Sequence, residues 1–64
     1  MQEGTVKFFN ETKGFGFITP KNGGADVFVH STGLMSNIRE NDSVVYDTES
    51  GQKGINAINV RVAG

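Results

Sequence analysis

The chain has 64 residues and no cysteine, so neither a disulfide bond nor a thiolate metal site can stabilise it. Its single histidine, His30, has no second histidine or cysteine with which to complete a zinc site, and we expect no metal or other cofactor. No apolar stretch approaches the ~18–20 residues of a membrane-spanning helix, and the first residues lack the basic and apolar regions of a signal peptide. We therefore expect a cytoplasmic protein that binds no membrane, with residues 1–64 forming a single domain.

Signatures of catalysis are also missing. The Gly-Phe-Gly segment at residues 14–16 resembles the start of a dinucleotide-binding loop, but position 19 is threonine where that fingerprint needs a third glycine, and no helical pattern follows. His30 has no nucleophile or orienting group at a recognisable spacing, so it makes a poor candidate for a catalytic base. The sequence therefore predicts a protein that is not an enzyme.

Positive charge is scarce as well. Six lysine and arginine residues stand against seven acidic ones, giving a net charge of −1, whereas nucleic-acid-binding domains are usually basic. If this chain binds a polyanion, the affinity must come more from stacking than from neutralising phosphates.

What the sequence does contain is nine glycines, one proline and short runs of strand-forming residues. No uninterrupted apolar stripe of helical period spans 11 residues, so the pattern predicts strands rather than helices. Five segments have strand character, and they are residues 5–10, 15–19, 26–30, 43–49 and 55–62. Lys21-Asn22-Gly23-Gly24 is typical of a hairpin turn, and the longer connection at 31–42 has room for a single helical turn.

The alternation of side chains along these strands gives a small predicted core. Its members are Val6, Ile18, Val27, Val29, Val44, Tyr46, Ile58 and Val60, while Leu34, Met35 and Ile38 are placed at one end of it. So few apolar side chains predict marginal stability. Closing the sheet removes its exposed edges, so we expect an all-β fold, a small five-stranded antiparallel barrel.

An aromatic face lies opposite this core. Because side chains alternate along a strand, Phe15 and Phe17 share one face, and Phe28 and His30 share the same face of the next strand. Strict alternation places Phe8 inward with Val6, but a bulge would bring it out to the aromatic face, and both possibilities stay open.

Three interpretations of the aromatic face can be compared. The rings could be ordinary core, but three phenylalanines on adjacent strands, flanked by Lys7, Lys13 and His30, favour a surface on which bases stack. Alternatively, the same face could bind a partner protein or a second copy of the chain. His30 itself could be a plain surface histidine or a residue that contacts a base.

The sequence resembles a known family. Lys13 to Ile18 and Val27 to His30 are similar to the two ribonucleoprotein motifs of bacterial cold-shock proteins, and the resemblance extends from Gly4–Asn10 to Gly51–Val60. It implies an OB-type barrel that binds single-stranded RNA and DNA and acts as an RNA chaperone in the cold-shock response. We expect the protein to be a monomer. The candidate binding residues are Lys7, Phe8, Phe9, Asn10, Lys13, Phe15, Phe17, Asp26, Phe28, His30 and Lys53.

The chain departs from that family's pattern at three places. Phe8 replaces the usual tryptophan, Ser31 replaces a stacking phenylalanine, and the connection at 31–42 lacks the aromatic residue that relatives usually carry there. We therefore expect weaker binding or a shorter site, by ~1–3 kcal/mol for each missing stacking ring.

Overall fold

A closed barrel of five strands forms the fold. The structure, a computed structural model, describes residues 2–51 and 54–63. The strands are β1 (Gln2–Asn10), β2 (Phe15–Pro20), β3 (Val27–His30), β4 (Ser43–Gly51) and β5 (Gly54–Val62), and a single 3-10 turn, Ser31–Gly33, follows β3. Their order around the barrel is β1-β2-β3-β5-β4. The predicted all-β barrel and its five strands are confirmed, with β1 beginning three residues earlier than expected.

The prediction that every pair is antiparallel is wrong at one position. β3 and β5 are parallel, through the pairs Phe28↔Asn56 and Val29↔Ala57, while the other four neighbours are antiparallel. The reason is topological, because an odd number of strands in a closed ring cannot alternate in direction all the way round. We call this parallel pairing the β3–β5 seam.

The core fills the inside of the barrel. Seven of the eight predicted core residues are buried, joined by Ile38 and Ala57. Among the described residues, the buried hydrophobic core is Val6, Ile18, Val27, Val29, Ile38, Val44, Tyr46, Ala57 and Val60. Leu34 packs against this cluster, whereas Met35 is 65% exposed.

The prediction for Ile58 is wrong, since it is only half-buried and Ala57 points inward instead. Asn59 has a left-handed backbone with φ of 52°, and the pairing of β4 with β5 shifts between Val45 and Asp47. This irregularity breaks the alternation of β5.

A second irregularity lies in β1. Val6 pairs with Ile18 and Phe8 pairs with Phe17, so one extra residue, Lys7, is accommodated between two consecutive positions of β2. Such a bulge turns the following side chain to the other face. Phe8 therefore lies on the outside of the barrel with Phe17, and the question that alternation alone left open is answered.

The tight turns use the residues that the sequence indicated. Between β2 and β3, Gly23 has φ of 84°, and the backbone N–H of Gly24 donates to the side-chain oxygen of Asn22 at 3.0 Å. This is the geometry that Asn and Gly allow in a hairpin connection.

Candidate nucleic-acid interface

Four phenylalanine rings form a continuous surface across β1, β2 and β3. Phe8, Phe17 and Phe28 are direct cross-strand partners, and Phe15 lies two residues before Phe17 on the same face. Ring centroids are 5.5 Å apart for Phe8–Phe17, 5.7 Å for Phe17–Phe28, 5.9 Å for Phe28–Phe15 and 6.4 Å for Phe15–Phe8. Each ring thus contacts two others, and the four close into a cycle that we call the Phe patch.

The Phe patch is outside the core rather than part of it. Phe8 is 37% exposed, and the other three rings are half-buried against one another. The barrel interior is filled by other side chains, so the patch presents aromatic faces and edges to solvent. Contiguous exposed apolar surface of this kind marks a binding site in small proteins.

Gly16 explains how the strands beneath the patch come so close. A Cβ atom built on Gly16 would lie 2.7 Å from Cδ1 and 2.8 Å from Cα of Phe9, and closer still to the carbonyl oxygen of Phe8. Only glycine fits between β2 and the bulged end of β1, and this close approach holds the patch rings on one surface.

Lys7 lies next to the patch and is paired. Its Nζ is 3.0 Å from Oδ2 of Asp26, and the hydroxyl of Thr19 donates to the other carboxylate oxygen at 3.2 Å. The hydrogen bond from Lys7, aided by that from Thr19, holds the pKa of Asp26 below its ordinary value despite an opposing desolvation effect. The predicted site residues Lys7 and Asp26 are therefore one neutral ion pair.

Asn10 and Lys13 belong to the turn that joins β1 to β2. The side-chain oxygen of Asn10 accepts from the backbone N–H of Lys13 at 3.0 Å, and the Asn10 carbonyl accepts from the N–H of Gly14 at 2.7 Å. Asn10 thus stabilises the turn, and the exposed Lys13 lies one residue from Gly14 at the edge leading to Phe15. Gly14 has φ of 76°, a conformation that suits glycine.

His30 stands beside Phe15, its direct partner across β2 and β3, and is exposed. Its Nδ1 accepts from the backbone N–H of Thr32 at 3.3 Å and lies 3.0 Å from the Thr32 hydroxyl. The histidine thereby extends the Phe patch by one ring with a polar edge.

One predicted site residue, Phe9, is not part of this surface. Phe9 is half-buried and packs against the core, which leaves Phe8 as the member of the pair that reaches the patch. Lys53 lies outside the described residues. Thr19 and Thr32 were missed by sequence reasoning. Thr32 lies two residues after His30, a spacing at which a threonine can form such a local hydrogen bond, whereas Thr19 contacts Asp26 across seven residues and has no such local signal.

Among residues 2–51 and 54–63, no group of three or more histidine, cysteine, aspartate or glutamate side chains is arranged to hold a metal ion. In that same part of the chain, no helix has the length and apolarity needed to cross a membrane.

A closed five-stranded barrel with an aromatic patch and a rim of polar residues defines a class, the small OB-type barrels. Residues 2–63 match the family described as 'Cold-shock' DNA-binding domain. The chain belongs to the cold-shock domain family.

Similar proteins agree with this assignment. The chain is similar to the major cold shock protein of Micrococcus luteus, with 48% identity over 64 residues, 94% of this chain and 96% of the relative. It is also 52% identical to cold shock-like protein CspJ of Salmonella typhimurium over 61 residues, 89% of this chain and 87% of the relative. The solved structure titled Drosophila Unr CSD456 superposes with a TM-score of 0.80 at 26% identity, and the match covers 98% of this chain but 26% of that one.

Proposed function

We propose that this protein binds single-stranded RNA and DNA by stacking bases on the Phe patch, without catalysis, and that it does so as a cytoplasmic monomer and a single cold-shock domain. The observation that carries the proposal is the cycle of four ring contacts on the outside of a barrel whose interior is already filled. Family membership supports nucleic acid as the ligand.

The exposed rings of the Phe patch are suited to stacking with bases. Each base that stacks on an aromatic ring contributes ~1–3 kcal/mol, and any base can do so because every base has a π-face. Four phenylalanine rings and His30 offer several adjacent platforms, so affinity arises with little dependence on sequence. Because residue 31 is serine and not an aromatic residue, the row of stacking rings is shorter at that end.

Electrostatics contribute less than in a typical nucleic-acid-binding protein. Lys7 is paired with Asp26 at 3.0 Å, so it neutralises a phosphate only by leaving the carboxylate. For single strands, log K falls with log salt by about 0.7 for each phosphate neutralised. We therefore expect a shallow salt dependence, with a slope of about −1 to −2.

Titration of an oligo-dT, with and without substitutions in the patch, tests the proposal. Phe17→Ala and Phe28→Ala each remove a ring that contacts two others, and we expect each to weaken binding about 5- to 150-fold. Val62→Ala is the matched control, because Val62 is 44% exposed at the far end of β5 and pairs with Val44 rather than with the patch. Binding that survives both phenylalanine substitutions would refute the proposal.

RNA-chaperone activity is the physiological form that we propose for this binding. A ligand that binds unpaired bases shifts a hairpin toward its open form by mass action. A fluorophore–quencher RNA hairpin should therefore open as protein is added, and Phe17→Ala should open it much less. A hairpin that stays closed while an unstructured strand binds would limit the function to binding alone.

A second candidate is a protein-interaction barrel. It is favoured by the same exposed apolar patch together with the net charge of −1. Light scattering separates the two, since a stacking protein is monomeric when free, whereas a patch that self-associates gives a dimer that Phe28→Ala would dissociate. A partner-binding barrel would in addition fail to bind the oligonucleotide.

A further inference from the structure

The contacts of His30 fix which of its ring nitrogens carries the proton. A backbone N–H can only donate, so the bond from Thr32 requires Nδ1 of His30 to accept. The Thr32 hydroxyl, 3.0 Å from the same nitrogen, is able to donate to it as well. A neutral imidazole whose Nδ1 accepts must hold its proton on Nε2.

The position of the His30 ring determines which groups its Nε2–H can contact. His30 lies two residues after Phe28 on the same face of β3 and directly opposite Phe15, so it borders the Phe patch. With Nδ1 engaged toward Thr32, the remaining nitrogen, Nε2, is the one available to a ligand. A strand stacked on Phe15 and Phe28 would bring its polar atoms beside this N–H.

The contact to Thr32 is built into the fold. The N–H of Ser31 donates to the Gly14 carbonyl at 2.8 Å, and the N–H of Leu34 donates to the Ser31 carbonyl at 3.2 Å, which closes the 3-10 turn. These bonds hold the backbone of Thr32 behind the histidine ring. Thr32 itself is exposed, so its side chain fills no space in the core.

We infer that Thr32 is a positioning residue that holds His30 in the Nε2–H form, so that His30 donates a hydrogen bond to an acceptor oxygen of the bound strand. The inference rests on the proposed function and adds polar recognition to stacking. The acceptor is a base carbonyl or a phosphodiester oxygen, which share the same chemistry. Thr32 acts through His30 and does not touch the strand.

The first test is spectroscopic and needs no ligand. Ring ¹⁵N shifts of His30, measured at a pH where they report the neutral form, distinguish the two tautomers. We expect the wild type to be almost entirely Nε2–H, and Thr32→Ser to match it. Thr32→Val keeps the backbone N–H, 3.3 Å from Nδ1, but loses the shorter hydroxyl contact at 3.0 Å, so it should contain a measurable share of the other tautomer. Unchanged ring ¹⁵N shifts in Thr32→Val would overturn the inference. The measurement needs no oligonucleotide, so this outcome is distinct from a failure of the proposed function.

The second test measures affinity for oligo-dT. Loss of one net hydrogen bond predicts about 2- to 12-fold weaker binding for Thr32→Val, with wild-type affinity for Thr32→Ser. In a His30→Phe background, which keeps a ring but removes the donor, Thr32→Val should have no further effect. A loss that persists in that background would show that Thr32 does not act through His30.

Two modified strands distinguish the sources of the oxygen. Thymine replaced by difluorotoluene keeps the ring shape without its carbonyls, and methylphosphonate linkages replace charged phosphate oxygens. The affinity difference between wild type and Thr32→Val should disappear on the strand that lacks the acceptor. If the difference persists on both, His30 does not donate to the strand, and the inference is overturned while Phe17→Ala still reports on stacking.

Discussion

At the scale of single residues, most polar side chains around the Phe patch already form hydrogen bonds within the protein. Asp26 accepts from both Lys7 and Thr19, and Asn10 is held by the backbone of its own turn. These contacts orient the rim before any ligand arrives. A nucleic-acid strand that approached the Phe patch would have to compete with Asp26 for Lys7.

Acid titration measures the Lys7–Asp26 pair directly. The hydrogen bond from Lys7 holds the pKa of Asp26 below its ordinary value. A carboxyl group with a lowered pKa in the folded state adds stability above the pKa of the unfolded state, and this contribution is lost as pH falls through the folded-state value. We expect the NMR midpoint of Asp26 to rise in Lys7→Gln, and to stay low in Lys21→Gln, because Lys21 pairs with Glu3 instead. An Asp26 midpoint that ignores Lys7→Gln would contradict this assignment.

Tyr46 is a residue whose hydroxyl does not match its surroundings. Its side chain is fully buried, and its hydroxyl finds no hydrogen-bond partner among residues 2–51 and 54–63. An unsatisfied buried polar group costs ~1–3 kcal/mol. Denaturant unfolding should therefore show Tyr46→Phe to be as stable as the wild type or more stable, by about 1 kcal/mol.

The same substitution has a signature at high pH. Burial raises the pKa of Tyr46, so the unfolded chain ionises first, and stability falls as pH rises above about 10. Tyr46→Phe lacks this loss, and its advantage over the wild type should widen above that pH. A variant less stable than the wild type at neutral pH would show that the hydroxyl has a partner after all.

At the scale of elements, the meeting of β1 and β2 determines the site. The bulge at Lys7 turns Phe8 outward, and Gly16 lets β2 approach the end of β1. The two features act together, because the bulge brings the backbone of Phe8 and Phe9 over Gly16. The place of Phe8 in the Phe patch thus depends on this one irregular strand pair, whereas Phe28 joins the patch from the regular strand β3.

Gly16→Ala tests that dependence. The added Cβ would lie 2.8 Å from Cα of Phe9, a backbone atom that cannot move away cheaply. We expect a loss of about 1–3 kcal/mol in the free energy of unfolding, the usual range for overpacking, together with weaker oligonucleotide binding. Gly24→Ala is the control, since its nearest neighbour is the flexible side-chain oxygen of Asn22 at 3.3 Å. Equal stability of the two variants would contradict this account of the strand pair.

The elements also show where sequence reasoning succeeds and where it stops. Alternation placed Phe15, Phe17 and Phe28 on one face because β2 and β3 are regular strands. It failed at Ile58, where the left-handed backbone of Asn59 interrupts β5. Bulges are set by how the barrel closes, and no local pattern encodes that closure.

Contacts between distant residues set a similar limit. Lys7 and Asp26 are 19 positions apart, and their pairing follows from strand register, which the sequence alone does not define. The parallel direction of β3 and β5 was likewise missed, although counting five strands in a closed ring would have revealed it. The aromatic face was predictable, whereas the arrangement of its polar rim was not.

At the scale of the whole molecule, a thin core and a surface site are energetically linked. The small buried cluster predicts a low free energy of unfolding, and a ligand that binds only the folded barrel adds RT ln(1 + [L]/Kd) to it. A ligand at 100 times its Kd contributes about 2.7 kcal/mol. For a domain of this size, each kcal/mol raises the melting temperature by about 4–8 °C.

Saturating oligo-dT should therefore raise the melting temperature of the wild type by about 10–20 °C. Calorimetry at several oligonucleotide concentrations gives the shift. Phe28→Ala should show a much smaller shift at the same concentrations, and Val62→Ala the full one. A wild-type melting temperature that is insensitive to oligonucleotide would mean that the folded barrel is not what binds.

The β3–β5 seam has a consequence for how the barrel opens. Among residues 2–51 and 54–63, two residue pairs join these strands directly, with one further bridge between Leu34 and Val60, whereas β4 and β5 are joined through seven pairs. We therefore expect local opening at this short seam to expose backbone amides to solvent at a lower free energy than opening between β4 and β5. Phe28 belongs both to the β3–β5 seam and to the Phe patch. A nucleic-acid strand bound over Phe28 would therefore stabilise the seam against opening. Binding at the Phe patch should then slow the hydrogen exchange of the backbone amides that bond across the seam.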